Sequence, residues 1–330
     1  MKEKFSSFTR QNVLIDPPSI GSKELSFDNL GNRVRQIVER VVDNDRELER
    51  ILNNAGEFGK AYNSTRSIVR VLMDTRMSGV ENVGGFKREA AIPLDAGFKG
   101  LSLCYYGMNS LERQTTVSII EQERKILTDV LGREPKTPLA ILEKTKEFKF
   151  ERLEGKVSIN DFERLREMYE NSFTAYPFDI VSSLKSMIAN QDYVVYVARS
   201  IRDGLLYSVS ITEEMILDIL GTGKLTMREM GDSAKIPQVN GLNAPLKLLL
   251  IEKAYEDEVN LVFCESRAAL PAVNAVNRDI GMDYCGFLTQ HTRIGGEGID
   301  EKSPYGNMNV WALNKDAIQR IGQEVKLLTK

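Results

Sequence analysis

The stretch "LTMREMGDSAKIPQVNGLNAPLKLLLIEKA", residues 225–254, holds the choice that decides the fold. Its first part is a strand-like run carrying Glu229 and Asp232, and its last part, from Asn243 on, is an apolar run at helical spacing. Between them, Gln238-Val239-Asn240-Gly241-Leu242-Asn243-Ala244 admits two readings. In one it is a turn, with Asn243 as N-cap and Pro245 in the first helical turn. In the other it cradles a phosphate, because a helix N-terminus gathers unpaired N–H groups and partial positive charge. The two compete for the same donors, since an Asn cap occupies some of those that an anion needs.

Outward from this point the chain reads as alternating elements. Downstream, "NLVFCES" is a short buried strand, "PAVNAVNRDIG" a helix ended by glycine, and "DYCGFLTQ" and "NMNVWAL" two closing strands. Upstream, "DYVVYVAR" and "LLYSVSIT" form a hairpin through Arg202-Asp203-Gly204. Before it come a strand, "FKFERLEG", a helix, "INDFERLREMYENSF", capped by Asn160 or Asp161, and a helix, "IVSSLKSMIAN", after the Pro177 break. The order β-α-α-β-β-β-α-β-α-β-β is an α/β (α+β) plan with an antiparallel front and one parallel crossover, which starts at the opening stretch.

The proline- and charge-rich "GREPKTPLAILEKTKEF" marks a boundary near residue 145, giving an N-terminal α/β domain over 1–145 and a second domain over 146–330. In the first, Leu30 to Asn54 repeats apolar residues at three and four, a helical spacing interrupted near Asp43 and closed at Gly56. "STRSIVRVLMD" reads as a strand, "GGFKREAAIPLDAGFKGLSLCYYG" as a strand pair, and Ile119 to Leu131 as a helix stopped by Gly132. "GGFKREAAIP" and "IGMDYCGFLT" echo each other, as two related half-domains would.

The 330 residues, 42% of them hydrophobic, suffice for two ordinary domains. A net charge of −3 offers no basic field for a nucleic-acid backbone. The polar start "MKEKFSSFTRQN" lacks a signal peptide's apolar stretch, and no uncharged run approaches a membrane span, so a cytoplasmic chain is expected. Cys104, Cys264 and Cys285 stand singly in apolar segments and read as small buried hydrophobes. With His291 as the single histidine, no His-rich metal site is expected.

Six blocks in order, "SFTAYPFDI" (172–180), "EMGD" (229–232), "QVNGLNAPLKLLLIE" (238–252), "RAALPAVN" (267–274), "IGMDYCGFLTQHTRIGG" (280–296) and "MNVW" (308–311), resemble the GNAT acyl-CoA-dependent N-acetyltransferases. Within that superfamily they are similar to the β-lysine N6-acetyltransferase family. "GGFKREAAIPLDAGFKG" (84–100) extends the likeness into the N-terminal half, which the resemblance implies is itself a GNAT-like half. The resemblance implies a GNAT fold over 146–330 and transfer of acetyl from acetyl-CoA to the side-chain amine of a β-lysine-like amino acid.

On that basis residues Gln238 to Ala244, with Asn274, are expected to hold CoA. Tyr176, Phe178, Arg267, His291, Thr292 and Asn309 are expected to line the acceptor pocket, with the Arg267 guanidinium suited to a carboxylate. An amine attacks a thioester only as the free base, so a base must stand beside it. Glu229 is the first candidate and Asp232 the second; three apart on one strand, they point to opposite faces. The sequence departs from the family pattern at Asn243, where a small residue is usual, and at Asn277, where an aromatic that protonates the departing thiolate is usual. Tyr284 is the candidate substitute. These departures keep two alternatives in play: another small amine or amino acid as acceptor, or a catalytically degenerate GNAT that binds a metabolite or partner. The N-terminal half is expected to cover the active site or to form a homodimer surface.

Overall fold

The computed structural model describes residues 24–28, 32–77, 80–98, 100–113, 115–155, 157–172, 188, 193–219, 223–237, 239–293 and 305–329. The chain is mixed α/β. Strands β1 (Glu24–Asp28) and β2 (Arg33–Val42) lead into α1 (Asp45–Ala61), and β3 (Arg66–Asp74) follows. The short β4 (Asn82–Val83), β5 (Phe86–Pro93) and β6 (Leu101–Asn109) precede α2 (Val117–Leu131) and α3 (Pro138–Leu142). Then come β7 (Phe148–Arg152), α4 (Ile159–Ser172), β8 (Tyr193–Ser200), β9 (Leu206–Ile219) and β10 (Gly223–Lys235). The chain continues through α5 (Asn243–Glu256), β11 (Leu261–Arg267), α6 (Pro271–Asp279), β12 (Asp283–Arg293), β13 (Tyr305–Asn314) and α7 (Lys315–Thr329).

One sheet carries all the strands, in the order β1-β2-β3-β6-β5-β12-β13-β11-β10-β9-β8-β7, with β4 beside β5. Its centre is the β5/β12 seam, where Gly286 pairs with Ala90. Outward from the seam the two wings repeat one plan. On one side β1 hairpins to β2, which crosses through α1 to a parallel β3, and β6 then β5 complete the wing. On the other side β9, β10, α5, β11, β13 and β12 do the same, with β8 and β7 added at the edge. The two stretches that echo each other in sequence are β5 and β12, equivalent strands of this plan.

The sheet curls so that β2 touches β9. Its inner face is a core in which Ile68, Leu72, Ile92 and Tyr105 meet Leu217, Met227, Phe263 and Val310. Helices α2, α3, α5 and α7 cover the outer face of the C-terminal wing over Val262, Trp311 and Leu313, α1 covers the outer face of the other wing over Val69, Val71 and Cys104, and α4 packs over β9 and β10, with Val195 and Val197 of β8 in the same cluster.

Four sequence expectations are corrected here. Residues 33–42 are a strand, not a helix: tertiary pairing with β1 and β3 overrides the three-and-four spacing, and Val34, Val38 and Val42 are β-branched. A second parallel crossover therefore exists, β2-α1-β3. The α4 cap is Ser158, whose Oγ accepts from the Asp161 N–H. The amphipathic α7, with Ile318, Ile321 and Val325 inward, was not anticipated after the last strand. The "IVSSLKSMIAN" segment lies outside the described residues apart from position 188.

At Gly286 (φ +151) an added Cβ would collide with the Cα of Ala90, a backbone contact that cannot rotate away. Gly286→Ala should cost roughly 1–3 kcal/mol in urea unfolding, as overpacking typically does. An unchanged midpoint would show that the seam is loose.

Candidate active site

The parallel strands β10 and β11 pair over only Met227–Glu229 against Leu261–Phe263. Beyond those residues they part. A bulge between Gly231 and Ala234 turns β10 outward, because one extra residue is set against β9. The result is a wedge: β10 on one wall, β11 from Cys264 to Arg267 on the other, and residues 236–242 with the α5 N-terminus at its mouth. The equivalent strands β2 and β3 stay paired from Arg33/Arg66 to Val42/Met73. Their connection to α1 is only Asp43-Asn44, and the Asn44 side chain accepts from the Glu47 N–H, so the donors there are spent on a cap. Only the C-terminal crossover is open.

At the mouth, Gly241 has φ +87, a left-handed backbone suited to glycine, and a Cβ built there meets nothing within 4 Å. The helix cap is Leu242, without a side-chain bond. Asn243 therefore does not cap: it is the first helical residue, and its buried Oδ1 has no partner among the described residues. Leu246 N–H is the first to bond back, to Leu242 O, which leaves the N–H groups of Asn243 and Ala244 ahead of the ladder; Pro245 has none. Leu242 itself is buried against Ala198 and Leu246. The Lys235 Nζ donates to Val239 O (2.8 Å) and Asn240 Oδ1 (3.1 Å), holding the loop from below. Gln238 lies outside the described residues.

On the inner face Glu229 and Glu265 share one guanidinium, delivered by Arg70 of β3. Arg70 Nη1 donates to Glu229 Oε2 (2.8 Å), and Nη2 donates to Glu229 Oε1 (3.3 Å) and Glu265 Oε1 (2.6 Å). The rings of Tyr105 and Phe263 flank it, with centroids at 5.1 and 5.6 Å. The other Glu265 oxygen lies 2.9 Å from His291 Nε2. Burial alone would raise the Glu265 carboxyl, but the Arg70 guanidinium, with the His291 ring against the other carboxylate oxygen, opposes that and holds it below the usual carboxylate range. Burial pushes the His291 ring down to about 3, against the pull of Glu265 and with help from Arg33 and Arg66. The imidazole is therefore neutral, with Nδ1 3.4 Å from Arg66 Nη2 and Nε2 2.9 Å from Glu265; because Arg66 can only donate, Nδ1 is assigned as the acceptor and the proton to Nε2. Arg33 and Arg113 donate to the His291 and Gln290 carbonyls, fastening β12 to the N-terminal wing.

Three expected roles are corrected. His291, 1% exposed, is part of this buried cluster and lines no open pocket. Asn274 and Asn309 are interior: Asn274 Oδ1 accepts from Asn309 Nδ2 (2.9 Å) and Trp311 Nε1 (3.0 Å), and its Nδ2 donates to the Arg267 and Leu270 carbonyls. Tyr284 stands on β12, two strands from β11, edge-on to Trp311, with its hydroxyl pushed up to about 12 by burial. It is removed from the wedge and does not replace the missing aromatic acid.

The half-buried Arg267 continues the β11 face that carries Glu265, and burial lowers its pKa. The bulge breaks strand alternation between Glu229 and Asp232, so their spacing does not fix opposite faces; the side chains of Asp232 and Thr292, and all of Tyr176 and Phe178, lie outside the described residues. Arg70 was not foreseen; nothing local in "SIVRVLMD" signals a buried ion pair except an arginine inside an apolar strand.

No family model matches the chain, and no curated protein matches it in sequence. Solved structures do. A probable acetyltransferase from Staphylococcus epidermidis is 16% identical over 51% of this chain and 98% of its own, with a TM-score of 0.39. A probable GNAT-family acetyltransferase from Chromobacterium violaceum is 15% identical over 52% and 90%, with a TM-score of 0.39. Spermidine N-acetyltransferase from Vibrio cholerae, in complex with CoA and spermine, is 11% identical over 52% and 98%, with a TM-score of 0.40.

Because His291 is the chain's single histidine and is neutral when folded, the unfolded chain gains a proton below pH 6.5 that the folded chain refuses until about pH 3. Its contribution to stability is thus complete above pH 6.5 and falls on acidification at up to about 1.4 kcal/mol per pH unit. Glu265 adds its own loss at lower pH, as the pH drops through its depressed folded value. In urea unfolding between pH 7 and 5, His291→Gln should flatten the slope; parallel curves for the two proteins would show a charged or exposed ring.

Proposed function

We propose that the chain is an acetyl-CoA-dependent N-acetyltransferase of GNAT type, with the β10/β11 wedge as the thioester channel. The observation that carries this is the wedge itself: a parallel pair that separates after three residues, next to a glycine-bearing loop and an uncapped helix N-terminus. The loop fits a pyrophosphate. Its glycine is open, the first helical N–H groups stand ahead of the hydrogen-bond ladder, and rotating the Asn243 amide replaces its orphaned Oδ1 with a donor. Acetyl-CoA supplies an acyl thioester that an amine can attack directly.

The chain's own contribution is proton handling and positioning. Glu229 stands where β10 leaves β11, and its carboxylate would take the proton that the attacking amine gives up, directly or through water. Glu265 adds a second negative charge on the same face, and Phe263 and Tyr105 supply aromatic faces, a combination suited to a cationic acceptor. Arg267, farther along β11, suits the acceptor's carboxylate. A β-lysine-like amino acid unites these features, and the sequence blocks support the same choice. The N-terminal wing repeats the topology with its crossover closed, and serves as the wall that delivers Arg70.

A second reading has its own observation. The Arg70 guanidinium fills the space between Glu229 and Glu265 that an acceptor ammonium would take. If it never leaves, the chain binds a metabolite or partner without transferring an acyl group.

Acetyl-CoA at 100 times its Kd should stabilise the protein by about 2.7 kcal/mol; no melting shift at millimolar acetyl-CoA would sink the transferase reading. A CoA-release assay over lysine, β-lysine, ornithine and polyamines then identifies the acceptor, and binding without release over the whole panel would favour the second reading. Glu229→Gln should lower kcat on the order of a hundredfold with little change in acetyl-CoA affinity. An unchanged kcat would remove Glu229 as the base.

A further inference from the structure

Strand alternation gives the wedge two chemically different faces. Glu229 and Glu265 lie on the inner one. On the other, Cys264 and Ser266 point toward the helices, and there α5 places a lysine. Lys247 is 3% exposed. Its Nζ donates to Asn277 Oδ1 at 2.6 Å and lies 3.6 Å from Cys264 Sγ. Asn277 Nδ2 in turn donates to Ser266 Oγ at 2.8 Å. All these partners are neutral, and no carboxylate among the described residues pairs with Lys247.

That arrangement is costly. Removing an ammonium from water costs several kcal/mol unless an opposite charge compensates. The position makes it worse, because Lys247 is one turn from the α5 N-terminus, where the helix already concentrates partial positive charge. Met or Leu would fill the same volume at no electrostatic cost. A buried cation beside a positive helix end, set against the back of the β11 wall where that strand has parted from β10, is a place prepared for negative charge.

Resting on the transferase reading above, we propose that Lys247 is the charge partner of the leaving thiolate, set on the face of the wedge opposite Glu229. Attack by the amine forms the C–N bond and breaks the C–S bond; the bonding pair leaves with sulfur, and the nitrogen must lose a proton. Glu229 accepts that proton on the inner face. The ammonium of Lys247, steered by Asn277, offsets the sulfur charge on the outer face, and the thiolate leaves with CoA and takes its proton from water. The base and the cation thus act from opposite sides of one thioester, which keeps them from neutralising each other.

The test uses the full chain with CoA and desulfo-CoA. In wild type the thiol of bound CoA, followed by thiolate absorbance during a pH titration, should ionise with roughly tenfold more thiolate at a given pH than free CoA, equal to one pKa unit. Lys247→Met and Lys247→Gln should abolish that gain and weaken CoA binding above pH 8, while desulfo-CoA binds all three proteins alike. Both variants should also melt no lower than wild type, since an uncompensated charge has gone. Equal thiol ionisation in wild type and variants, or variants that melt much lower and bind both ligands equally, would make Lys247 a packing residue and overturn the inference. If wild type bound neither CoA nor desulfo-CoA, the transferase reading would fall first, and this inference with it.

Discussion

The contact on which the rest depends is the one Arg70 makes with Glu229 and Glu265. In the strand order β3 and β10 are six steps apart, which in a flat sheet would place them roughly 29 Å from each other at the usual strand spacing. Their side chains touch only because the sheet curls onto its own inner face. Curling buries the apolar residues of both wings against each other and simultaneously takes three charges out of water. The apolar burial drives the closure, and the ion cluster decides where it stops, since a buried pair is tolerated only when its geometry is nearly complete. Neutral His291, held by Arg66 on one side and Glu265 on the other, extends the same constraint to β12 and the seam.

Seen from the seam, two wings of one plan have been used differently. In the N-terminal wing the parallel strands remain paired, two residues join strand to helix, and an Asn cap consumes the free donors. In the C-terminal wing a single inserted residue in β10 and a seven-residue connection, 236–242, separate the strands and leave the helix uncapped. One wing became a wall and the other a cleft. The difference lies in hydrogen bonds withheld, because a site needs backbone groups that the fold itself does not satisfy.

The elements around the cleft were legible in the sequence. Gly204 and Gly281 punctuate the chain where a left-handed residue is needed, apolar runs mark β8 and β13, and alternation marks the first half of β9. The loop was legible too, through Gly241. Less legible was β2, where Val34, Ile37, Val38 and Val41 satisfy a helical spacing as well as a strand, so that only the neighbours β1 and β3 settle the matter. Asn243 looked like a cap from its type and place, but the helix starts one residue early and leaves its Oδ1 without a partner among the described residues.

The sequence by itself determined most of the local chemistry: which segments around the cleft extend, which coil, where the loop opens a helix, and that Glu229 lies on the strand before it. Those are decided by neighbours in the chain, through dihedral preference and side-chain period. Only the tertiary structure decided which charges meet. Arg70 reaches Glu229 across 159 positions, Arg66 faces His291 across 225, and Lys247 finds Asn277 across 30. It also moved Asn309 and His291 from an imagined pocket wall, and Asn274 from an imagined cofactor contact, into the interior. Electrostatic partners in a folded chain depend on distance and burial, and neither is encoded at any one position.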